Sequence, residues 1–583
     1  MPGLTGALGI AQWSLYASQL SIEVTANNIA NANTPGYSRQ DLRVSANYPI
    51  TMGPGQIGTG VKAEEVQRAN NEFVNKQLNE KTSEYFYWEA EKGAMEEIEM
   101  IFNESNESGI NEMMGEFWNA WGDLSNNPDG LPQREALIAK SKNFTSAIKA
   151  IDYNLRAYQR HLDSNIQGSV QEVNSIISQI AGLNKEITAV EIDGVINAND
   201  LRDRRELLLG ELSGYMDINY YEEGQSGKLM VFVMGGTPLV LGKEAYSLSS
   251  ERNPATGYTD VLWNDQTGRT VDITHKIEGG KLAGWVDVRD TKIDSYLDSM
   301  NTLSEEIVWQ VNELHAQGAG LNSVSSMTGT VDITDPTLDI GGTGYLFGDR
   351  FSAGGTFDIV VYDDATGVMD NTFSVTLNAG ATVNDLVGSI NGTGNMNAEI
   401  DAGNHLHIHA GAGYTFAVKP HDADTQNNDA LAVLGVNTFF SWNRNDGELT
   451  ETLAVNAVVE NDPDRISAGH LDADNHVAPG DNSAALAAFG LQDKVVSMDG
   501  NNTTMDSYYS SFVAKVGVDT NNAQMNEKFN ETLKDQYLQR KESITGVNMD
   551  EEMSALLKYQ HSYQASAKLI SIVDELLQTL IRQ

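Results

Sequence analysis

The chain has 583 residues, 40% of them hydrophobic, enough to bury sizeable cores and, by length, to build about three to five domains. Its 38 basic residues face 81 acidic ones, a formal net charge of −43, which argues against nucleic acid and anionic membrane surfaces as partners. With no cysteine, a disulfide framework, a thiol nucleophile and a thiolate metal site are all excluded.

In chain order, Leu8, Leu15, Ile22 and Ile29 stand seven apart, with Leu4 and Ala11 on the same face, the ladder of a helix built to lie against other helices. At about 1.5 Å per residue such a helix is roughly 45 Å long. It is rich in Ser, Thr, Asn and small residues, poor helix formers, so it needs partner helices to hold it. Pro35 and Gly36 in Asn33-Thr34-Pro35-Gly36-Tyr37 end it. The first basic residue is Arg39, and Thr5, Gly6, Gln12 and Ser14 interrupt the apolar positions, so this stretch does not read as a cleaved leader. No stretch approaches a membrane span.

Pro49 to Val66 reads as an extended loop or hairpin. Gly53 to Gly58 matches the dinucleotide-binding glycine pattern by letters only, since no buried strand precedes it and no helix follows. From Glu72 to about Asp193 the pattern is helical, with breaks near Asn103 to Gly109 and Asn126 to Pro132. Phe117, Trp118 and Trp121 read as core packing. Asn199 to Arg205 opens another helix, its Arg/Asp run expected to pair at i,i+3 and i,i+4 on a solvated face. Met216 to Asp287 changes to short strands, including Leu229 to Met234 and Leu239 to Leu241. Ile293 to Gly318 returns to helix, with His315 expected to be a packed structural residue.

Gly318 to Gly500 is strongly acidic, 25 carboxylates against 5 basic residues, β-rich and Gly-punctuated. It is expected to be an outward-facing insertion, so deleting Ser326 to Asn475 is expected to spare the contacts of the termini. His405, His407 and His409 alternate along one strand face. Two of them suit a zinc site only with a third ligand from elsewhere, and the alternative is a solvated strand face. Asp422, Asp424 and Asp429, with Asp462 and Asp464, lack the order of a calcium loop. Helix resumes at Met505, and Met549, Leu556, Tyr563, Ile570 and Leu577 make a second seven-residue ladder. The helical ends are expected to pair, making the β regions insertions into a hairpin-like chain.

Asn27-Asn28-Ile29-Ala30-Asn31-Ala32-Asn33-Thr34-Pro35-Gly36-Tyr37 resembles the N-terminal signature of the axial proteins of the bacterial flagellum, the rod, hook and hook-associated families. The continuation Ser38-Arg39-Gln40, the length, and Ile544-Thr545-Gly546-Val547-Asn548-Met549-Asp550-Glu551-Glu552 narrow the resemblance to the hook-associated family of hook–filament junction subunits. It implies an α+β multidomain fold with paired terminal helices in a coiled-coil-like tube domain, a long-helix rod-like domain and inserted β-rich outer domains. The expected boundaries are 1–33 with 547–583 for the tube domain and 34–214 with 291–317 and 501–546 for the rod-like domain. The insertions are 215–290 and the acidic 318–500.

The resemblance further implies export through the flagellar type III channel without cleavage. The partners it implies are hook protein below, the third hook-associated protein above, further copies in a helical ring, and a cytoplasmic export chaperone on the C-terminal ladder. The nine ladder residues are the expected assembly contacts, and the isolated subunit is expected to leave both ends largely unfolded. No motif for hydrolase, zincin, kinase or dithiol chemistry is present, so no catalytic residue, cofactor or resident metal is expected. The alternatives are another axial protein such as the hook protein, or a secreted acidic adhesin or enzyme acting through the inserted β domains.

Overall fold

The structure, a computed structural model, describes residues 2–52, 55–102, 109–191, 196–223, 227–233, 235–351, 353–421, 430–443 and 448–582. In chain order, α1 (Pro2–Ala30) leads into nested antiparallel hairpins: β1 (Gln40–Ala46) pairs with β4 (Val61–Arg68), and between them β2 (Ile50–Met52) pairs with β3 (Gly55–Ile57). Gly53 and Pro54, the start of the glycine pattern, lie outside the described residues. Helices α2 (Glu72–Ile101), α3 (Ile110–Asn126), α4 (Leu131–Val190) and α5 (Asn199–Tyr215) follow. Then come β5 (Ile218–Glu222), β6 (Leu229–Val233), β7 (Pro238–Leu241) and β8 (Glu244–Ala245) in one four-stranded sheet, ordered as in sequence. A second sheet has the order β11-β10-β9, from β9 (Ser247–Arg252), β10 (Thr259–Asn264) and β11 (Thr270–Asp272).

Helices α6 (Gly280–Asp287) and α7 (Ile293–Gln317) precede the acidic stretch. There β12 (Ser326–Thr328), β15 (Met396–Ile400) and β16 (Leu406–Ala410) form one sheet, and β13 (Gly354–Asp363), β14 (Met369–Asn378) and β17 (Tyr414–Pro420) another. Helix α8 (Val383–Asn391) starts on a capping box in which Thr382 and Asp385 satisfy each other's backbone amides. Short pieces α9 (Ala430–Val433), β18 (Phe440–Ser441), α10 (Leu449–Thr452), β19 (Ala454–Val455) and α11 (Ala457–Asn461) lead to α12 (Ser483–Gly490) and the hairpin of β20 (Val496–Met498) and β21 (Asn501–Thr503). Helices α13 (Met505–Thr545) and α14 (Met549–Arg582) close the chain. The fold class is α+β and multidomain.

Contacts gather into two compact units, Met1–Met95 with Arg160–Thr291 and Thr520–Gln583, and Glu96–Gln159 with Lys292–Asp519. Residues 215–290 fall wholly in the first and 318–500 wholly in the second, while 34–214 is shared between them. In the first unit the alternation of Leu229, Val231 and Val233 turns one face of β6 inward, where it meets Val173, Ile177 and Ile180 of α4, Leu212 of α5 and Leu282 of α6.

In the second unit the core is aromatic. Phe117 stacks on Phe144 at 5.6 Å, and Trp121 packs against Phe439 at 5.1 Å, which meets Phe440 edge to face. Phe439 and Phe440 come from the acidic stretch. That stretch therefore shares a core with α3 and α4, and deleting Ser326 to Asn475 would remove Phe439 and Phe440 from it. Buried Arg134 donates to the carbonyls of Pro128, Pro463 and Ile466, a second tie between the helices and the acidic stretch.

His315 is buried, its Nδ1 donating to the Asn437 carbonyl at 2.7 Å and its Nε2 accepting from the Ser467 amide at 3.0 Å. Both bonds require a neutral ring, and burial lowers its pKa from 6.5 to about 4. The unfolded chain takes up this proton first as pH falls, so the contribution is fully present above pH 6.5 and is lost progressively toward pH 4. The loss amounts to about 3 kcal/mol at 1.36 kcal/mol per pKa unit. Urea unfolding followed by tryptophan fluorescence at pH 7.5 and 4.5 is expected to show this drop, and His315→Gln to reduce it.

Candidate assembly interface

Helices α1 and α14 pack along each other, and their register follows from three side-chain contacts. Ser566 Oγ donates to Ser14 Oγ at 2.9 Å, Ser18 Oγ to Ser562 Oγ at 3.1 Å, and Asn28 Nδ2 to Glu552 Oε2 at 3.0 Å. Numbers rise on one helix as they fall on the other, so the pair is antiparallel. The seam on α1 is Ala11, Ser14, Ser18, Ser21, Thr25 and Asn28, spaced alternately by three and four. Facing it are Glu552, Tyr559, Ser562, Ser566 and Val573. Small side chains let the two backbones approach closely, and their hydroxyls pair across the seam.

Each predicted ladder occupies the next position round its helix. Leu8, Leu15, Ile22 and Ile29 are half-buried, as are Leu556, Ile570 and Leu577, while Tyr563 and Met549 are exposed. In an antiparallel pair the rows one residue beyond the seam emerge on the same side, so the two ladders converge into one apolar edge. They are not each other's core. The polar seam supplies the pairing that the ladders do not. A further apolar stripe, Leu569, Ile572, Leu576 and Leu580, lies exposed on the last turns of α14.

At the far end of the seam the two sequence motifs meet. Asn28 makes four hydrogen bonds. Its Nδ2 donates to the Gln40 carbonyl (2.8 Å) and Glu552 (3.0 Å), and its Oδ1 accepts from the Gln40 amide (3.0 Å) and the Tyr37 hydroxyl (2.8 Å). The Glu552 side chain, only 2% exposed, also accepts from Arg39 Nε at 2.8 Å. The Arg39 amide donates to the Thr545 carbonyl, at the end of α13. Asn31 donates to Asn27 and accepts from the Thr34 hydroxyl, and the Asn27 side-chain amide donates to the Tyr37 hydroxyl, closing the turn. Gly36 takes φ of +76° against Leu207, a conformation that favours glycine. Ala30 and Pro35 are exposed. Asn548 caps α14 by accepting from the Asp550 and Glu551 amides.

The turn is in turn tied to α5. The Ser38 amide donates to Asp203, and the Gln40 side chain to Asp200. Asp203 and Glu206 hold Arg68, and Glu206 also holds Lys541. Burial, and after it Asp200, Asp203 and Glu552, raises the Tyr37 pKa, which keeps its hydroxyl a donor to Asn28. Burial likewise lifts the Asp203 carboxyl above its usual value despite Ser38 and Arg68. The Arg/Asp run of α5 is thus only in part a solvated face, with Asp200 and Arg204 exposed. Asp203 and Arg205 are buried, and Arg205 reaches Asn184, the Gly227 carbonyl and Glu222. Sequence spacing hid these ties because every partner is distant along the chain. Only the abundance of both signs in one helix hinted at them.

The other candidates do not converge. His405 Nδ1 lies 3.9 Å from Asp401, His407 Nδ1 lies 2.8 Å from Thr328 Oγ1, and the His407 and His409 rings are 5.3 Å apart. Among the described residues no three metal-ligating side chains cluster. Asp422, Asp424 and Asp429 lie outside the described residues, while Asp462 pairs with Arg465.

Three family models match: flagella basal body rod protein over residues 11–37, the flagellar hook-associated protein FlgK helical domain over 95–329, and the flagellar basal body rod FlgEFG protein C-terminal region over 539–583. The first and last fall on the paired helices, where the chain is similar to axial proteins of the bacterial flagellum. Proteins named flagellar hook-associated protein 1 are similar from end to end. That of Bacillus subtilis (strain 168) is 24% identical, covering 98% of this chain and 97% of its own length. That of Salmonella typhimurium is 25% identical over 99% and 100%, and that of Escherichia coli K12 24% over 99% and 100%. The chain is thus similar, over nearly its whole length, to the flagellar hook-associated protein 1 family. The structure of the flagellar hook junction protein FlgK from Burkholderia pseudomallei shares the fold, with a TM-score of 0.54 at 15% identity, covering 81% of this chain and all of that one.

Proposed function

We propose that this chain is a structural subunit of the flagellar hook–filament junction, whose α1/α14 pair carries the contacts between subunits. The observation that carries the reading is the convergence of two apolar ladders on one edge of a helix pair that is already held together by a polar seam. Leu8, Leu15, Ile22, Ile29, Leu556, Tyr563, Ile570 and Leu577 form that edge, with Met549 at its end. Covering it fully would gain about 1 kcal/mol per residue, less the cost of ordering the partner. Contacts of this kind between unlike surfaces propagate into helical arrays. Asn28, Tyr37, Arg39 and Glu552 act as a latch that aims the pair.

In this reading the neighbours are further copies, the hook protein on one side and the third hook-associated protein on the other. The exposed stripe Leu569 to Leu580 is held by an export chaperone before the chain leaves the cell by the flagellar type III route, without loss of a leader. The chain performs no catalysis. The test is complementation of a bacterium lacking its junction subunit, by this chain and by a chain with Ile22 and Ile29 replaced by Asp. Motility restored equally by both would remove the ladder from the interface.

A further inference from the structure

The chain carries no charged residue between Arg43 and Lys62, although one residue in five is charged overall. That interval contains the β2/β3 hairpin, of which Ile50, Thr51, Gln56 and Ile57 are exposed. Tyr48 is 88% exposed, Ile50 52% and Ile57 47%. Exposed aromatic and aliphatic groups concentrated in one charge-free projection mark an interaction surface. The hairpin is continuous with the assembly helix, since Gly60 sits so close to Ile10 of α1 that a Cβ there would lie 3.2 Å from its Cα.

Elsewhere in the same unit is a groove of about 1030 Å³. Its apolar wall includes Leu78, Phe86, Leu207, Leu538, Ile544 and Val547, and the turn 32–39 borders it. Its charges balance, four cations against four carboxylates, in a chain of net charge −43. Lys281 and Lys534 both lie over the ring of Phe86, at 4.8 and 5.9 Å from its centroid, leaving their ammonium groups beside an aromatic side chain of the wall. Hairpin and groove share no residue.

We infer that the uncharged β2/β3 hairpin of one copy docks, through Tyr48, Ile50 and Ile57, into this groove on a second copy. The inference rests on the assembly reading above. Copies of so acidic a chain repel one another, so the surfaces they can bury together are those without net charge, and these two meet that condition. Because hairpin and groove are different surfaces, the contact is heterologous and does not close on a pair, which is what a ring or helix of subunits requires. Tyr48 supplies the ring that stacks against the lysine-capped wall.

The absence of native cysteine makes the test direct. Junctions are isolated from cells whose only copy carries both Ile50→Cys and Leu538→Cys, and are oxidised with copper phenanthroline. The expected result is a cross-linked dimer and higher ladder at least tenfold above either single-cysteine chain, and above a chain pairing Ile50→Cys with Val368→Cys on the other unit. Normal junctions with no excess cross-linking overturn the hairpin–groove contact and leave the assembly reading intact. Failure of the unsubstituted chain to enter junctions at all overturns both.

Discussion

Replacing Ile22 and Ile29 together by Asp is expected to lower incorporation into the junction at least tenfold and to abolish motility, while the isolated chain keeps its fold. Both side chains are half-buried beside a seam made by Ser18, Ser21, Thr25 and Asn28. In the free subunit, therefore, an Asp at either position stays in contact with water. In the assembled edge the same carboxylate would be desolvated among aliphatic groups, at a cost of several kcal/mol, on a chain already at −43. Far-ultraviolet circular dichroism and thermal unfolding of the purified variant are expected to match the parent, and immunoblots of isolated hooks to show its loss. A variant that unfolds would place these residues in the subunit core instead.

Asn28→Asp is expected to release the latch. The substitution is isosteric, yet it exchanges a donor for an acceptor 3.0 Å from the buried Glu552 carboxylate and 2.8 Å from the Gln40 carbonyl. Two bonds are lost and two like charges are brought together out of water, which costs about 3–5 kcal/mol. Arg39 offsets part of this through Glu552. The amides of 549–556 are expected to exchange at least a hundredfold faster at neutral pH. Acidification through the carboxylate range restores part of the protection, because the introduced carboxyl, once protonated, regains one of the two donated bonds. Unchanged exchange at both pH values would mean that Asn28 does not hold α14.

The terminal helices were legible because large apolar residues every seventh position leave a strong periodic signal, and both helices form where that signal runs. The ladders mark the flank of the pair, however. The seam is written in Ser14, Ser18, Ser562 and Ser566, whose pairing no hydropathy pattern reports. Motif and partner were both visible at Asn28 and Glu552, but their meeting depends on a chain separation of 524 residues folding back. The acidic stretch misled for a related reason. Its net charge resides on the surface, whereas Phe439, Phe440 and the Asn437 carbonyl, uncharged and few, decide that it shares a core with α3, α4 and α7.

A seam of hydroxyls and small side chains buries little apolar surface, so the α1/α14 pair is expected to open readily until subunits cover its apolar edge. Amide hydrogen exchange of residues 3–30 and 549–582, compared between the purified chain and isolated junctions, tests this most directly. The account predicts exchange at least a hundredfold faster than in α4 and α7 for the free chain, falling to their level on assembly. Equal protection in both states would mean that the edge is not what assembly buries.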